Sequence, residues 1–181
     1  LEENTIYRID LKGTLVEQAG EENPFDALFA EMYGQSTTTV GLNDLLSNIA
    51  LAKDNDKVLG IYLKGGSLSA GPASAKAIRD ALIDFKQSGK FIIAFADSYS
   101  QTNYYIASVA DKIFLNPVGS LAWDGLSAEK IYVTRLYEKI GIEMQILKVG
   151  TFKSAVEPYF RTSMSEAVRT QTELYLGGIW S

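Results

Sequence analysis

Short apolar runs alternate along this chain with segments whose apolar residues recur at helical spacing. The apolar runs predict strands at Thr5–Leu11, Val58–Leu63, Phe91–Ala96, Lys112–Leu115 and Glu143–Val149. Several runs are apolar without interruption, which is typical of parallel strands that are covered on both faces. The longest runs have only the length of a strand, so the pattern predicts no segment that spans a bilayer.

The segments between the first strands carry the signals of helices. A stretch from Leu42 to Ala52 places its apolar residues at i, i+3, i+4 and i+7, which predicts a helix. Pro72 fits the first turn of a second helix and Gly89 fits its C-terminal cap. Gly20–Gln35 is the least regular part and predicts a loop with a short helix.

Three further helices are predicted in the second half of the chain. Tyr104–Ala110 is short, and Ala128–Ile140 has Ser127 as its expected N-cap and Gly141 as its expected stop. The four residues from Ser163 to Glu166 have the capping-box spacing that opens a last helix. Alternation of strand and helix favours an α/β domain with a mainly parallel sheet.

Composition narrows the possible chemistry. A length of 181 residues fits one domain, or one domain and part of another. The formal net charge of −5 argues against binding to nucleic acid. The chain has neither histidine nor cysteine, which excludes Ser-His-Asp and Cys-His catalysis and most zinc sites within it. A hydrolytic site would therefore use a carboxylate or a lysine as its base.

Lys153 is the candidate base. It follows Gly150 and the predicted strand Glu143–Val149, and sites in open parallel sheets form beyond the carboxyl ends of strands. A helical turn that begins near Lys153 would disfavour the charged ammonium, and burial would do the same. The alternative is a solvated loop lysine, which the residue chemistry by itself favours.

Two serines that lie near lysines are weaker candidates. Ser154 adjoins Lys153, but neighbouring side chains diverge, so we interpret it as a helix N-cap. Ser127 and Lys130 match the Ser-x-x-Lys pattern of β-lactamases, yet the Ser-Asp-Asn and Lys-Thr-Gly patterns do not accompany it. Because Ser127 is already explained as a cap, we interpret this match as coincidental.

Two connections from strand to helix have the setting of an anion or nucleophile site. Lys64–Gly71 could present backbone amides to an oxyanion, but it lacks the phosphate-binding glycine spacings, which favours a plain turn. Asp97–Ala107 carries the hydroxyls of Ser98, Ser100 and Thr102 without an obvious base beside them. Its function stays open on the residues alone.

Two longer stretches together resemble the signal peptide peptidase A family, also called protease IV, which consists of serine proteases of the ClpP/crotonase superfamily. Gly150–Pro158 is similar to the general-base segment of the family. Asn103–Ile113, with Asn116-Pro117 and Gly119-Ser120 after it, is similar to the helix that follows the nucleophile. The resemblance extends from about Thr5 to the end of the chain. It implies a ClpP/crotonase-like α/β fold, a mainly parallel sheet with helices on both sides.

One departure from the family pattern changes what the resemblance implies. Short members carry Ser-Gly-Gly-Tyr-Tyr, whose serine is the nucleophile, whereas this chain has glutamine, Gln101, at the serine position and Asn103 in place of the second glycine. An amide cannot act as the nucleophile. The pattern is similar to the N-terminal half of long, tandem-repeat members, in which the first repeat supplies the lysine and the second repeat the serine.

The resemblance therefore implies that residues 1–181 are the N-terminal crotonase-like repeat of a tandem-repeat protease, a fragment without its second repeat. Lys153 is then the general base of a Ser–Lys dyad, and the Lys64–Gly71 turn is a remnant of the oxyanion-side loop. The start at Leu1 without methionine also fits a processed or cut fragment. We expect the fragment by itself to be inactive.

Further expectations concern the setting in which this activity would occur. The resemblance implies cleaved, apolar signal peptides as substrate, the C-terminal repeat as a partner, and a homo-oligomer that is a tetramer in the family. It also implies a membrane anchor upstream of Leu1 and a location on the periplasmic side of the bacterial inner membrane. No cofactor, metal or nucleic acid is expected.

Two other functions stay open. In one, the chain is a catalytically inactive crotonase-like repeat that only scaffolds an oligomer, which Gln101 favours and the intact Lys153 segment opposes. In the other, it is an acyl-CoA enzyme of the same superfamily, which the fold permits but the lysine segment does not support. A second repeat with a Ser-Gly-Gly-Tyr turn downstream of Ser181 would favour the protease.

Overall fold

The structure, a computed structural model, describes residues 2–18, 39–147, 149–150 and 153–180. It divides into two compact units, Leu1–Asp124 and Gly125–Ser181. The first unit contains five strands and three helices in its described part. They are β1 (Thr5–Val16), β2 (Thr39–Gly41), α1 (Leu42–Asp54), β3 (Val58–Ser69), α2 (Pro72–Lys86), β4 (Phe91–Ala96), α3 (Gln101–Ala107) and β5 (Lys112–Leu115).

The five strands form one sheet in the order β2-β1-β3-β4-β5, and every pairing is parallel. This confirms the expected α/β class with a parallel sheet. Strands β4 and β5 have the predicted bounds, whereas β1 and β3 are longer than predicted. The prediction for Gly20–Gln35 lies outside the described residues.

One side of the sheet holds the core of this unit. Alternate strand residues such as Ile9, Ile61 and Ile92 are buried together with helix residues such as Ile78 and Phe85. Because α1 contacts α2 and α2 contacts α3, the three helices form a layer. Each fully buried aliphatic or phenylalanine side chain contributes about 1.5–3 kcal/mol. Residues of the opposite strand face, such as Ile6 and Leu59, are exposed.

The Lys64–Gly71 segment is mostly strand, so its prediction as a turn was wrong. Strand β3 continues to Ser69 because its pairing with β1 resumes after a register shift between Leu11 and Gly13. Glycine allows this close approach to β1, since a Cβ at Gly66 would lie 3.1 Å from the carbonyl oxygen of Leu11.

The helix ends of this unit follow local chemistry. Helix α2 begins at Pro72 as predicted, and Gly89 lies beyond its end with a φ of 81°. Helix α3 begins at Gln101, three residues before the predicted start at Tyr104. The Ser100 hydroxyl explains this, because it accepts a hydrogen bond from the Asn103 N–H and caps the helix.

The second unit contains α4 (Thr134–Lys139), a 3-10 helix (Ser154–Tyr159) and α5 (Glu166–Trp180) in its described part. The helix predicted for Ala128–Ile140 with Ser127 as N-cap was wrong in its first half, because Val133 occupies the N-cap position. The Val133 N–H donates to the Pro158 carbonyl instead, which holds the preceding residues in a non-helical path.

The strand predicted for Glu143–Val149 was also wrong, since none of its described residues is in a strand. Leu147 is 100% exposed and Val149 is 87% exposed. A strand requires a neighbour for its backbone hydrogen bonds, and the described part of this unit contains no other strand to provide them. Across the described ranges, no helix has both the length and the apolar character needed to cross a membrane.

Candidate active site

Lys153 occupies the N-cap position of the 3-10 helix Ser154–Tyr159, with φ −80° and ψ 79°. The described residues of 143–150 are not in a strand, so the expected place beyond the carboxyl end of a strand was wrong. The side chain is exposed. Within the part of the chain that the structure describes, its ammonium has no hydrogen-bond or ion-pair partner. A reacting group from elsewhere would therefore find this amine accessible.

Ser154 is the first residue of the 3-10 helix, so its prediction as an N-cap was wrong. Its carbonyl oxygen accepts a hydrogen bond of 3.2 Å from the Lys130 Nζ. Lys130 is the lysine of the Ser-x-x-Lys pattern, whereas Ser127 is exposed on a non-helical segment. The fold thus joins Lys130 to the lysine segment across 24 residues of sequence.

Glu157 is a buried carboxylate of the same 3-10 helix that the sequence analysis missed. It is only 2% exposed, and burial of a carboxylate requires hydrogen bonds. The Ser165 hydroxyl donates to it at 2.6 Å and the Ser165 N–H donates at 3.3 Å. Ser165 also caps α5, because its hydroxyl oxygen accepts from the Val168 N–H at 3.3 Å. The lysine segment and the start of α5 are therefore connected.

The cap of α5 differs from the prediction. The Ser163–Glu166 spacing predicted a capping box with Ser163 as the cap, but Ser165 takes that position. The carboxylate that completes the arrangement comes from Glu157 rather than Glu166. The short connection between the 3-10 helix and α5 makes this contact possible, and its sequence signal is only a glutamate followed eight residues later by a serine.

Helix α4 packs against the other end of the lysine segment. The Thr134 hydroxyl donates to the Arg161 carbonyl at 2.6 Å, and the Val133 N–H donates to the Pro158 carbonyl at 2.9 Å. The Tyr137 and Tyr159 rings stack with centroids 6.2 Å apart. The 3-10 helix is therefore fixed from α4 as well as from α5.

Gln101 is the first residue of α3 in the first unit, directly after the cap residue Ser100. The position that resembles a nucleophile position thus lies after the carboxyl end of β4, but it carries an amide. Asn103 is fully buried, and its Nδ2 donates to the Gly66 carbonyl of β3. Its Oδ1 is buried and has no hydrogen-bond partner among the described residues. The asparagine therefore ties the start of α3 to the glycines of β3.

An aromatic cluster lies beside this helix start. The Tyr99 ring meets the Tyr104 ring edge-on at 6.0 Å between centroids, and Tyr104 meets Trp123 in the same manner at 5.6 Å. Burial raises the pKa of Tyr99 to about 12, with smaller contributions from the nearby Tyr62 and Tyr104. Tyr99 is therefore a neutral structural residue at physiological pH.

No group of acidic residues suited to a metal ion occurs in the described ranges. Lys153 offers an accessible primary amine at the start of a 3-10 helix. Lys130 bonds to the backbone of that helix, Glu157 within it bonds to Ser165, and α4 packs against it. Such an amine, when neutral, can accept a proton from a hydroxyl. No described serine hydroxyl contacts it.

Comparison with known proteins gives a family match and several relatives, among them the three that follow. The family model of peptidase family S49 matches residues 84–181. Protease 4 of Haemophilus influenzae is 35% identical over 179 residues, which are 96% of this chain and 28% of the relative. Protease 4 of Salmonella typhi is 34% identical over 176 residues, which are 95% of this chain and 28% of the relative.

A chloroplastic protein of Arabidopsis thaliana, named Serine protease SPPA, is also similar. It is 30% identical over 142 residues, which are 78% of this chain and 21% of that protein. The chain therefore spans less than a third of the length of each of these relatives. The family match contains both Gln101 and Lys153.

Proposed function

This chain belongs to peptidase family S49, and from that premise we propose that it is the part of a serine protease that supplies the general base. Lys153 is the base of a Ser–Lys dyad in this proposal. The nucleophilic serine lies outside residues 1–181, in a second, C-terminal repeat of the same protein. Two relatives named Protease 4 and one named Serine protease SPPA support the reaction class.

The observation that carries the proposal is the state of Lys153. Its ammonium is exposed and has no partner in the described part of the chain, while the backbone beneath it is held from several directions. A solvated surface lysine needs no such support. A base that must meet a serine of another repeat needs an accessible amine on a fixed backbone.

The reaction then follows ordinary dyad chemistry. Neutral Lys153 Nζ accepts the proton of the serine hydroxyl while the serine oxygen attacks the peptide carbonyl carbon. When the carbon–nitrogen bond breaks, the lysine returns that proton to the leaving amine, and water later releases the acyl group. Removal of water disfavours the charged form of a lysine, so in this proposal the second repeat also covers Lys153.

Gln101 supports the proposal that the lysine and the serine of the dyad come from different repeats. It occupies the position after the carboxyl end of β4 at which a short family member would carry its serine. Because Asn103 ties this helix start to Gly66 of β3, the Lys64–Gly71 remnant is packed into the unit. The oxyanion hole of the active protease accordingly belongs to the second repeat in this proposal.

The proposal also includes the biological setting. In this proposal the substrates are apolar, cleaved signal peptides. The protein assembles as a homotetramer. A membrane anchor upstream of the chain holds it at the periplasmic side of the bacterial inner membrane. Exposed apolar residues in the second unit support the proposed assembly, in which another surface would cover them. They include Leu147, Leu174 and Trp180. Contiguous exposed apolar surface commonly marks an interaction site.

Substitution of Lys153 tests the proposal. In the complete protein, Lys153→Ala should lower kcat/KM for a fluorogenic apolar peptide by about 100- to 10,000-fold, because a general base contributes about that factor. Lys139→Ala is the matched control, since Lys139 is an exposed lysine in the last turn of α4. Its activity should equal that of the wild type.

The competing function is an inactive scaffold repeat, which Gln101 favours. If the complete protein cleaves the peptide equally well with alanine at position 153 and at position 139, Lys153 is not the base. If the wild-type complete protein shows no peptidase activity while it still forms oligomers, the scaffold function is the better explanation.

A further inference from the structure

Lys130 contacts the backbone of the lysine segment at its first residue. Its Nζ donates a hydrogen bond of 3.2 Å to the carbonyl oxygen of Ser154, the residue directly after Lys153. The contact is partly buried, and Lys130 itself is half-buried. A half-buried lysine whose ammonium binds a backbone carbonyl is held in place, unlike an ordinary solvated lysine.

The contact limits the distance between the two lysines. Standard backbone dimensions put the Lys130 Nζ no more than about 10 Å from the Lys153 Cα, and a lysine side chain can close much of that separation. The interaction of two like charges at such a distance is weak in water but substantial in a partly desolvated site. A second positive charge favours the neutral form of a neighbouring lysine, which is the form a general base requires.

Other charged and titratable groups surround the lysine segment. Glu157 is an acidic residue of the same helix, but its carboxyl group is buried and bonded to Ser165. Arg161 follows the 3-10 helix and donates its side chain to the Ser163 carbonyl. Tyr137 approaches from α4 and stacks on Tyr159. Among these, Lys130 is the cation whose charged atom contacts the residue adjacent to Lys153.

We propose that Lys130 is a positioning residue for Lys153, fixing the carbonyl that follows the base and placing a second positive charge beside it. The inference rests on the proposed function, because it assigns Lys130 a role toward the dyad. It also gives the lysine of the Ser-x-x-Lys pattern a function that does not involve Ser127. Lys130 does not touch the substrate in this arrangement, so its effect passes through Lys153.

The dependence of kcat/KM on pH separates this role from a merely structural one. In the complete protein, activity falls at low pH as the base becomes protonated, and this acidic limb reports the pKa of the base in the free enzyme. Lys130→Gln removes the charge and keeps a hydrogen-bond donor. It should shift the acidic limb to higher pH by about 0.5–1 unit, because the pKa of the base rises. At a pH below that pKa, kcat/KM should therefore be about 3- to 10-fold lower than in the wild type.

Three further variants make the experiment decisive. Lys130→Arg keeps the charge and should leave the limb within about 0.2 pH unit of the wild type. Lys130→Met should move the limb as Lys130→Gln does, and it stands in for that variant if circular dichroism shows that the glutamine form is unfolded. Lys139→Gln removes a positive charge from α4 and should leave the limb in place.

The proposal is overturned if the limb of Lys130→Gln coincides with that of the wild type, whether or not the rate falls at every pH. It is likewise overturned if Lys139→Gln moves the limb as far as Lys130→Gln. Lys153→Ala distinguishes this failure from failure of the dyad. If that variant is inactive while Lys130→Gln is normal, only the role of Lys130 is lost.

Discussion

Gln101 and Lys153 carry most of the functional information at the scale of single residues. The absence of histidine and cysteine left a carboxylate or a lysine as the candidate base, and the family resemblance implies that the base is Lys153. The sequence did not predict the bonds of Lys130 to Ser154 and of Glu157 to Ser165, because the bonded residues lie 24 and 8 positions apart. Contacts of that kind depend on how elements pack, and no local spacing predicts them.

Tyr99 gives a test at this scale that depends on pH. Its pKa is about 12 in the folded protein against an ordinary value of 10.0, because burial disfavours the phenolate. The raised value means that the unfolded chain loses the proton first. The contribution of Tyr99 to stability is therefore fully present below pH 10 and is lost as pH rises from 10 towards 12.

Denaturant unfolding at pH 9 and pH 11 measures this effect. The free energy of unfolding should fall more between the two pH values in the wild type than in Tyr99→Phe, which has no phenol to ionise. Tyr175→Phe is the matched control, because Tyr175 is exposed on α5, and it should behave as the wild type does. An equal fall in all three proteins would show that Tyr99 ionises normally in the fold.

At the scale of elements, the sequence predicted the sheet well and the second unit poorly. Strands β4 and β5 have the predicted bounds because their apolar runs pair with neighbours inside the sheet. Glu143–Val149 has a similar apolar pattern but no described strand beside it, so the same signal failed. Apolar periodicity indicates that a segment is suited to burial, and it does not show whether a neighbouring strand is present to pair with it.

The cap of α5 gives a test at the scale of elements. Ser165→Ala removes the hydroxyl that caps the helix and leaves the buried Glu157 carboxylate without one of its donors. The free energy of unfolding should fall by about 1–3 kcal/mol, measured by denaturant unfolding. Ser163→Ala, at the cap position that the sequence predicted, should change it by less than about 0.5 kcal/mol. If Ser163→Ala lowered the free energy of unfolding more than Ser165→Ala does, Ser163 would be the cap, as the sequence predicted.

At the scale of the whole molecule, the chain supplies one α/β unit with a buried core and a second unit rich in exposed apolar residues. Val168 is the only buried apolar residue among those described in the second unit. So small a core contributes little to the stability of this unit. Relatives more than three times as long as this chain agree with a site that uses residues beyond it.

The division of the dyad between repeats is the central claim, and labelling of the nucleophile tests it most directly. A fluorophosphonate probe should modify one activated serine of the complete protein, and mass spectrometry of the digested adduct should place that serine outside residues 1–181. Labelling should be lost in Lys153→Ala, kept in Lys139→Ala, and absent from isolated residues 1–181. A labelled serine within residues 1–181, or labelling that persists without Lys153, would contradict the claim.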